Sequence, residues 1–134
     1  AFNKSRTWLL SASHPPPVTA ACIAALEVLE SEPEHLMNLW KNTSYFKKAL
    51  KEMGFNIGNS QTPITPVIVG ASTVAQEMSS MLYDEGVFAL PIVFPMVARD
   101  RARIRTIMTA GHTTADLDVA LAAFEKIGRK LKVL

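Results

Sequence analysis

The chain has 134 residues, of which 49% are hydrophobic and 19% charged, the size and composition of one globular domain. Fourteen basic and twelve acidic residues give a net charge of +2, and the dispersal of most basic residues argues against a nucleic-acid partner. Cys22 is the only cysteine, which excludes an internal disulfide and fits a reducing compartment. No apolar run approaches the roughly 20 residues that cross a bilayer, so we expect no membrane partner.

The first long helix is predicted to follow the turn SASHPPP at residues 11–17, because proline is tolerated in a first helical turn. Ser13 is its expected N-cap. Ser11 and Ser13 could instead donate hydrogen bonds to a phosphate before the helix start, where unpaired N–H groups gather. Helical spacing predicts a buried stripe that holds Val18, Cys22, Ala25, Leu26 and Leu29.

The second helix is predicted to begin at Ser31, because Ser31 and Glu34 match a capping box with Pro33 inside the first turn. It should run to about Met53 and end at Gly54, which readily adopts a left-handed conformation. The expected buried face consists of Leu36, Leu39, Trp40, Phe46 and Leu50.

The second half of the chain is predicted to alternate between strands and helices. Strands are expected at 67–69, 87–94 and 103–109, with Pro63 and Pro66 at a strand start or edge because proline cannot donate to a ladder. Thr73 should open a third helix that ends near Gly86. Thr113 and Asp116 should open the last helix. This order predicts an α+β sandwich whose small, mostly antiparallel sheet is covered by helices on one face.

The strand at 103–109 reads RIRTIMT, and strand alternation places Arg103 and Arg105 on one face with Ile107. An unpaired buried charge is very costly, so this face should border a polar cleft. A guanidinium there can hold a carboxylate or phosphate through two parallel hydrogen bonds. The alternative is that both arginines pair with acidic neighbours or face water.

The three histidines lack the spacing of a metal site, and we predict no bound metal. His112 stands just before a helix N-cap, so a structural role at that turn is expected.

Four blocks carry a resemblance to a known family. They read SASHPP (11–16), SQTPITPVIVG (60–70), EGVFALPIVFPMV (85–97) and ARIRTIMTAGHT (102–113). In order and spacing the chain resembles the C-terminal portion of the α-oxoamine synthases, which are pyridoxal-phosphate enzymes. The phrases TPITPVIVG and PIVFP are most similar to the glycine C-acetyltransferase subgroup, also called 2-amino-3-ketobutyrate CoA ligase.

The resemblance implies the small C-terminal domain of an aminotransferase fold type I enzyme, which is a homodimer and cytoplasmic, or mitochondrial in a eukaryote. Residues 1–134 would be that single domain with its junction helix, and 1–14 the lead-in from a large cofactor domain. Arg105, the second arginine of the family's R-[IL]-R strand, would bind the amino-acid carboxylate. Ser11 and Ser13 would reach the pyridoxal phosphate of the neighbouring subunit.

The implied reaction condenses glycine, or another small amino acid, with an acyl-CoA such as acetyl-CoA to give a β-keto amino acid. The family's cofactor-bearing lysine lies upstream of all four blocks, and no lysine of this chain matches it. We therefore expect the 134-residue chain alone to be inactive. A different reading is a stand-alone α+β module that binds a small anion or serves in regulation.

Overall fold

The computed structural model describes residues 4–9, 11 and 14–134, except for the side chains of residues 8 and 9. The chain divides into two compact units, Ala1–Pro33 and Glu34–Leu134. The first unit contains α1 (Arg6–Leu9) and α2 (Pro16–Ser31).

Helix α2 differs from its prediction in two respects. Its N-cap residue is Pro15, with no side-chain cap, and the predicted cap Ser13 lies outside the described residues. None of its residues is buried, so the expected burial of its apolar stripe is wrong, and Cys22 is exposed. The helix forms with the expected period, but a unit of this size has too little chain of its own to bury the stripe.

The second unit contains three helices and three strands. They are α3 (Glu34–Met53), β1 (Ile64–Gly70), α4 (Ser72–Asp84), β2 (Leu90–Ile92), β3 (Ala102–Ile107) and α5 (Thr114–Lys130). Both strand pairs are antiparallel, and the order β1-β3-β2 puts β3 in the middle. The α+β architecture with helices on one face of the sheet is confirmed.

Alternation along β3 separates the core from the open face of the sheet. Ala102, Ile104 and Thr106 are buried, while Arg105 and Ile107 are exposed. In the register, Pro66 and Leu90 lie opposite Arg105, and Ile68 and Ile92 lie opposite Arg103. Residues opposite each other share a face, so the two arginines stand among apolar residues on the open side. Pro66 lies on the edge strand β1, where no amide N–H is needed on the outer side, and Pro63 immediately precedes that strand.

The core lies between the sheet and the helices. Phe124 of α5 is fully buried and makes edge-to-face contacts with Phe46, at 6.1 Å between ring centroids, and with Phe55, at 6.0 Å. Such pairs contribute about 0.5–1.5 kcal/mol beyond the burial of their area. The core thus ties α3, α5 and the segment after α3 together behind the sheet.

Helix α3 corrects the prediction of its start and of its buried face. It begins at Glu34, while Ser31 is the last residue of α2 and its hydroxyl donates to the carbonyl of Glu27 at 2.8 Å. Phe46 is buried as expected, but Leu36 and Trp40 are exposed. The positions buried instead hold Asn42 and Thr43.

Smaller boundary differences occur around the sheet. The N-cap of α4 is Ala71 rather than Thr73, and β2 is shorter than predicted at three residues. The Thr113–Asp116 capping box of α5 is confirmed, because both of its reciprocal hydrogen bonds are present.

Candidate functional site: a groove on the open face of the sheet

A groove of about 390 Å³ crosses the open face of the sheet. Its walls combine hydroxyl, apolar and cationic side chains from all three strands and two loops. They are Ser60, Thr62, Ile64, Pro66, Ile92, Val97, Arg103 and Arg105. A concave surface with apolar walls and a few convergent polar groups is the usual form of a small-molecule site.

Arg105 projects from the middle strand into this groove. Within the part of the chain that the structure describes, its guanidinium makes no hydrogen bond or ion pair. The sequence left open that Arg105 binds an anion, pairs with an acidic neighbour or faces water. Pairing with an acidic neighbour does not occur among these residues, and the exposure of Arg105 fits the other two possibilities. The guanidinium fork is available to an anion from outside.

Arg103 lies two residues earlier on the same face and is half-buried. Its Nε donates to the backbone carbonyl of Arg101 at 3.1 Å, which ties the side chain to its own strand start. Arg99 is engaged elsewhere, since its guanidinium lies 4.6 Å from the centroid of the Phe94 ring. Of the two arginines that line the groove, Arg105 is therefore the one whose head group makes no hydrogen bond to the described residues.

One wall of the groove is held from behind by Lys47 of α3. Its ammonium donates to the carbonyl of Thr62 at 2.7 Å, to the carbonyl of Ser60 at 2.9 Å and to the Ser60 hydroxyl at 3.3 Å. Burial lowers the pKa of Lys47, and the nearby charge of Lys51 lowers that pKa further. Sequence reasoning missed this contact because a lysine on a helix ordinarily indicates a solvated face.

A second cavity, of about 410 Å³, lies between α5, the end of β3 and the loop after α4, with Phe88, His112 and Val119 in its lining. The turn at its edge is closed by Asn42, whose side-chain amide donates to the carbonyls of Thr109 and His112. His112 Nδ1 accepts from the amide of Thr109 at 3.3 Å. The histidine is therefore engaged in the turn, as expected.

The predicted phosphate contacts at Ser11 and Ser13 fall on the start of α2. Ser11 is exposed and Ser13 lies outside the described residues. The first two helical positions are prolines, which lack an N–H, and the amides of Val18 and Thr19 already donate to the carbonyl of Pro15. A phosphate at this start would thus be held by side-chain hydroxyls and not by helix amides.

The described residues contain no group of three or more His, Cys, Asp or Glu side chains placed to hold a metal ion. No helix among them is long and apolar enough to cross a membrane.

Comparison with known proteins shows the family. Residues 3–124 match the family Aminotransferase class I and II. The chain belongs to this family. At 56% identity over 133 residues, it is similar to the 8-amino-7-oxononanoate synthase of Symbiobacterium thermophilum, covering 99% of this chain and 34% of that protein.

Two further proteins similar to this aminotransferase class I and II chain have names or ligands that indicate a reaction or a cofactor. The 8-amino-7-oxononanoate synthase/2-amino-3-ketobutyrate coenzyme A ligase of Thermus thermophilus is 52% identical over 133 residues, or 99% of this chain and 34% of that protein. Serine palmitoyltransferase from S. paucimobilis, with a bound pyridoxal phosphate–myriocin aldimine, superposes with a TM-score of 0.87 at 28% identity. That match covers 96% of this chain and 33% of the other.

These relatives are α-oxoamine synthases, so the resemblance is confirmed at the level of the family and of its pyridoxal phosphate cofactor. The subgroup prediction is not confirmed, because the relatives are named 8-amino-7-oxononanoate synthases and one of them carries both names. This aminotransferase class I and II chain spans about a third of the length of the curated relatives it matches.

Proposed function

We propose that the chain is the C-terminal small domain, with its junction helix, of a pyridoxal-phosphate-dependent α-oxoamine synthase. In this proposal residues 1–14 lead in from a large cofactor domain, and the enzyme is a homodimer that joins a small amino acid to an acyl-CoA. The family match and the names of the relatives support the reaction class. The observation that carries the site is the unpaired guanidinium of Arg105 inside the groove.

Arg105 holds the amino-acid carboxylate through two parallel hydrogen bonds, for which the planar guanidinium is suited. Pro66 and Leu90 flank it in the register, and neither side chain has a hydrogen-bond acceptor that would compete for the fork. Holding the carboxylate fixes the position of the amino acid's α-carbon for attack on the acyl thioester. When bound, pyridoxal phosphate supplies the electron sink that stabilises negative charge at that carbon. Ser11 and Ser13 donate to the cofactor phosphate of the neighbouring subunit.

Two substrate pairs fit this reaction class. Glycine with acetyl-CoA, giving a β-keto amino acid, is supported by the second name of the Thermus thermophilus relative. 8-Amino-7-oxononanoate is the alternative product. It is supported by the name of the Symbiobacterium thermophilum relative and by the first part of the double name of the Thermus thermophilus relative. That product carries a methyl group on its amino-bearing carbon, as alanine does, and its carboxylate lies at the far end of a nine-carbon chain. Because its amino-bearing carbon has no carboxylate, an alanine donor would release its own carboxylate as carbon dioxide in the overall reaction.

The test assays the enzyme that contains this chain with glycine and with alanine, each against acyl-CoAs of increasing length, and identifies products by mass spectrometry. We expect condensation with at least one pair and release of one CoA for each product. Absence of condensation with every pair would overturn the proposal.

A stand-alone module that binds a small anion is the second candidate, favoured by the position of the whole groove within the unit Glu34–Leu134. The isolated 134-residue chain is expected not to catalyse condensation under either candidate, since no lysine in it matches the family's cofactor lysine. Calorimetric titration of this chain with acetate and with phosphate separates the two. Tight anion binding by the chain, without condensation by the enzyme that contains it, would favour the module.

A further inference from the structure

The groove wall opposite β2 belongs to the loop between α3 and β1, residues 54–63. Lys47 of α3 holds that loop from behind. We propose that Lys47 is a positioning residue, which sets the width of the substrate groove by holding Ser60 and Thr62 in place. This inference rests on the proposed function of the groove, since it assigns Lys47 a role in binding the amino-acid substrate beside Arg105.

The contacts of the ammonium are concentrated on this wall. Lys47 Nζ donates to two backbone carbonyls, of Ser60 and Thr62, and to the Ser60 hydroxyl. Three acceptors match the three donors of an ammonium group, and hydrogen bonds from a charged donor are about twice as strong as neutral ones. Both residues that it holds line the groove with Arg105.

The other hydrogen bonds of the loop do not connect Ser60 or Thr62 to α3. At its far end, the carbonyl of Asn56 accepts from the amide of Ile68 at 2.8 Å, which pins the loop to β1. At the near end the Ser60 hydroxyl donates to the carbonyls of Ile64 and Thr62. Those bonds join residues of the loop and strand start to each other, whereas Lys47 joins them to α3. Without the ammonium, Ser60 and Thr62 keep hydrogen bonds only to each other and to Ile64, although the carbonyl of the next residue, Pro63, still accepts from the Met108 amide at 3.2 Å.

The wall position should affect substrate binding rather than the chemical step. Thr62, Ile64 and Pro66 follow one another along the side of the groove next to Arg105. A wall that moves outward leaves the bound amino acid in a wider space, where contact is lost equally in the ground state and the transition state. Loss of such uniform binding raises KM and leaves kcat nearly unchanged.

The experiment uses the enzyme that contains this chain and compares Lys47→Met with Lys47→Arg. Lys48→Met is the matched control, since Lys48 is the next residue of α3 and is exposed, and its one contact with the described residues is a surface ion pair with Glu52 at 3.8 Å. We expect Lys47→Met to raise the amino-acid KM about tenfold, to change kcat less than about twofold, and to leave the acyl-CoA KM unchanged. Lys47→Arg, which keeps a charged donor, should recover most of the loss, and Lys48→Met should match the parent enzyme.

A second measurement does not depend on activity. Hydrogen–deuterium exchange at residues 57–65 should be faster in Lys47→Met than in the parent and in Lys48→Met, because the wall loses its anchor. Ser60→Ala, which keeps the ammonium, should show a smaller change in the same segment. A lowered melting temperature with unchanged exchange and unchanged KM would show that Lys47 only stabilises the fold. Faster exchange in an enzyme that condenses no pair would sustain the anchoring role and count against the proposed function alone.

Discussion

Pro66 of β1 lies directly opposite Arg105 of β3, and Leu90 of β2 lies opposite the same arginine on its other side. The guanidinium therefore leaves the middle strand between two apolar neighbours, with no acidic partner among the described residues. No side chain in these two neighbouring positions competes for its hydrogen-bond donors. The guanidinium is suited to orient a substrate carboxylate.

Arg105→Lys in the enzyme that contains this chain should raise the KM for the amino acid at least about tenfold, equivalent to roughly 1.4 kcal/mol. Lysine keeps the charge but cannot reproduce the two-pronged contact. Arg105→Ala should be worse, and the acyl-CoA KM should move much less. Arg103→Lys is the control and should do little to amino-acid binding. Steady-state kinetics decide, and a KM that responds to Arg103 but not to Arg105 would show that the other arginine binds the substrate.

Replacing Ser11 and Ser13 with alanine should weaken retention of pyridoxal phosphate in the intact dimer. Each lost hydrogen bond to a charged oxygen costs about 1.5–3 kcal/mol, or about ten- to a hundredfold in affinity. The helix amides at the start of α2 cannot compensate, because two are absent and two are already bonded. Cofactor affinity is measured by dialysis followed by absorbance. Unchanged affinity with a lower melting temperature would indicate that the serines serve only the local structure.

Gly128→Ala should destabilise the unit although alanine is the better helix former. A Cβ on Gly128 would lie 2.6 Å from Phe55 Cζ and 3.0 Å from Leu134 Cδ1. Phe55 is itself packed against Phe124, so it has little room to move, and overpacking of this kind costs about 1–3 kcal/mol. Chemical denaturation should show a lower free energy of unfolding. Gly111→Ala, where the nearest atom would be 3.9 Å away, is the control and should change little.

Asp116→Asn should lower the melting temperature at neutral pH and have progressively less effect in acid. The Thr113 hydroxyl and amide both donate to Asp116 Oδ2, at 2.7 and 2.8 Å. These bonds hold the pKa of Asp116 below its usual value of 3.8. A depressed folded pKa means that the stabilisation is present above 3.8 and is lost as the pH falls through the folded value. Melting curves from pH 7 to pH 2 test this, and a gap of constant size would contradict the role of the carboxylate charge.

The sequence predicted those features that depend on local chemistry. Alternation in RIRTIMT placed Arg103 and Arg105 on one face, and the spacing of Thr113 and Asp116 located the start of α5. The sequence-based prediction failed where tertiary contacts determine which residues of a helix are buried. Leu36 and Trp40 have the period of a buried face, yet α3 packs through Asn42 and Thr43 nearer its middle.

The groove wall could not have been predicted for the same reason. Lys47 precedes the carbonyls it binds by 13 and 15 residues, and nothing in its local pattern distinguishes it from Lys48. Its role follows from the way the loop returns over the end of α3. Only the position of the backbone reveals such an acceptor, because every residue carries a carbonyl.

The exposed apolar side chains of α2 limit how the chain can be handled on its own. Five large apolar side chains of this helix are between 42% and 61% exposed, namely Val18, Ile23, Leu26, Val28 and Leu29. Exposed apolar surface of this kind drives association in water. Recombinant production of the 134-residue chain should therefore yield aggregates more readily than production of a chain that begins at Glu34, which keeps the core and the groove but leaves out the stripe.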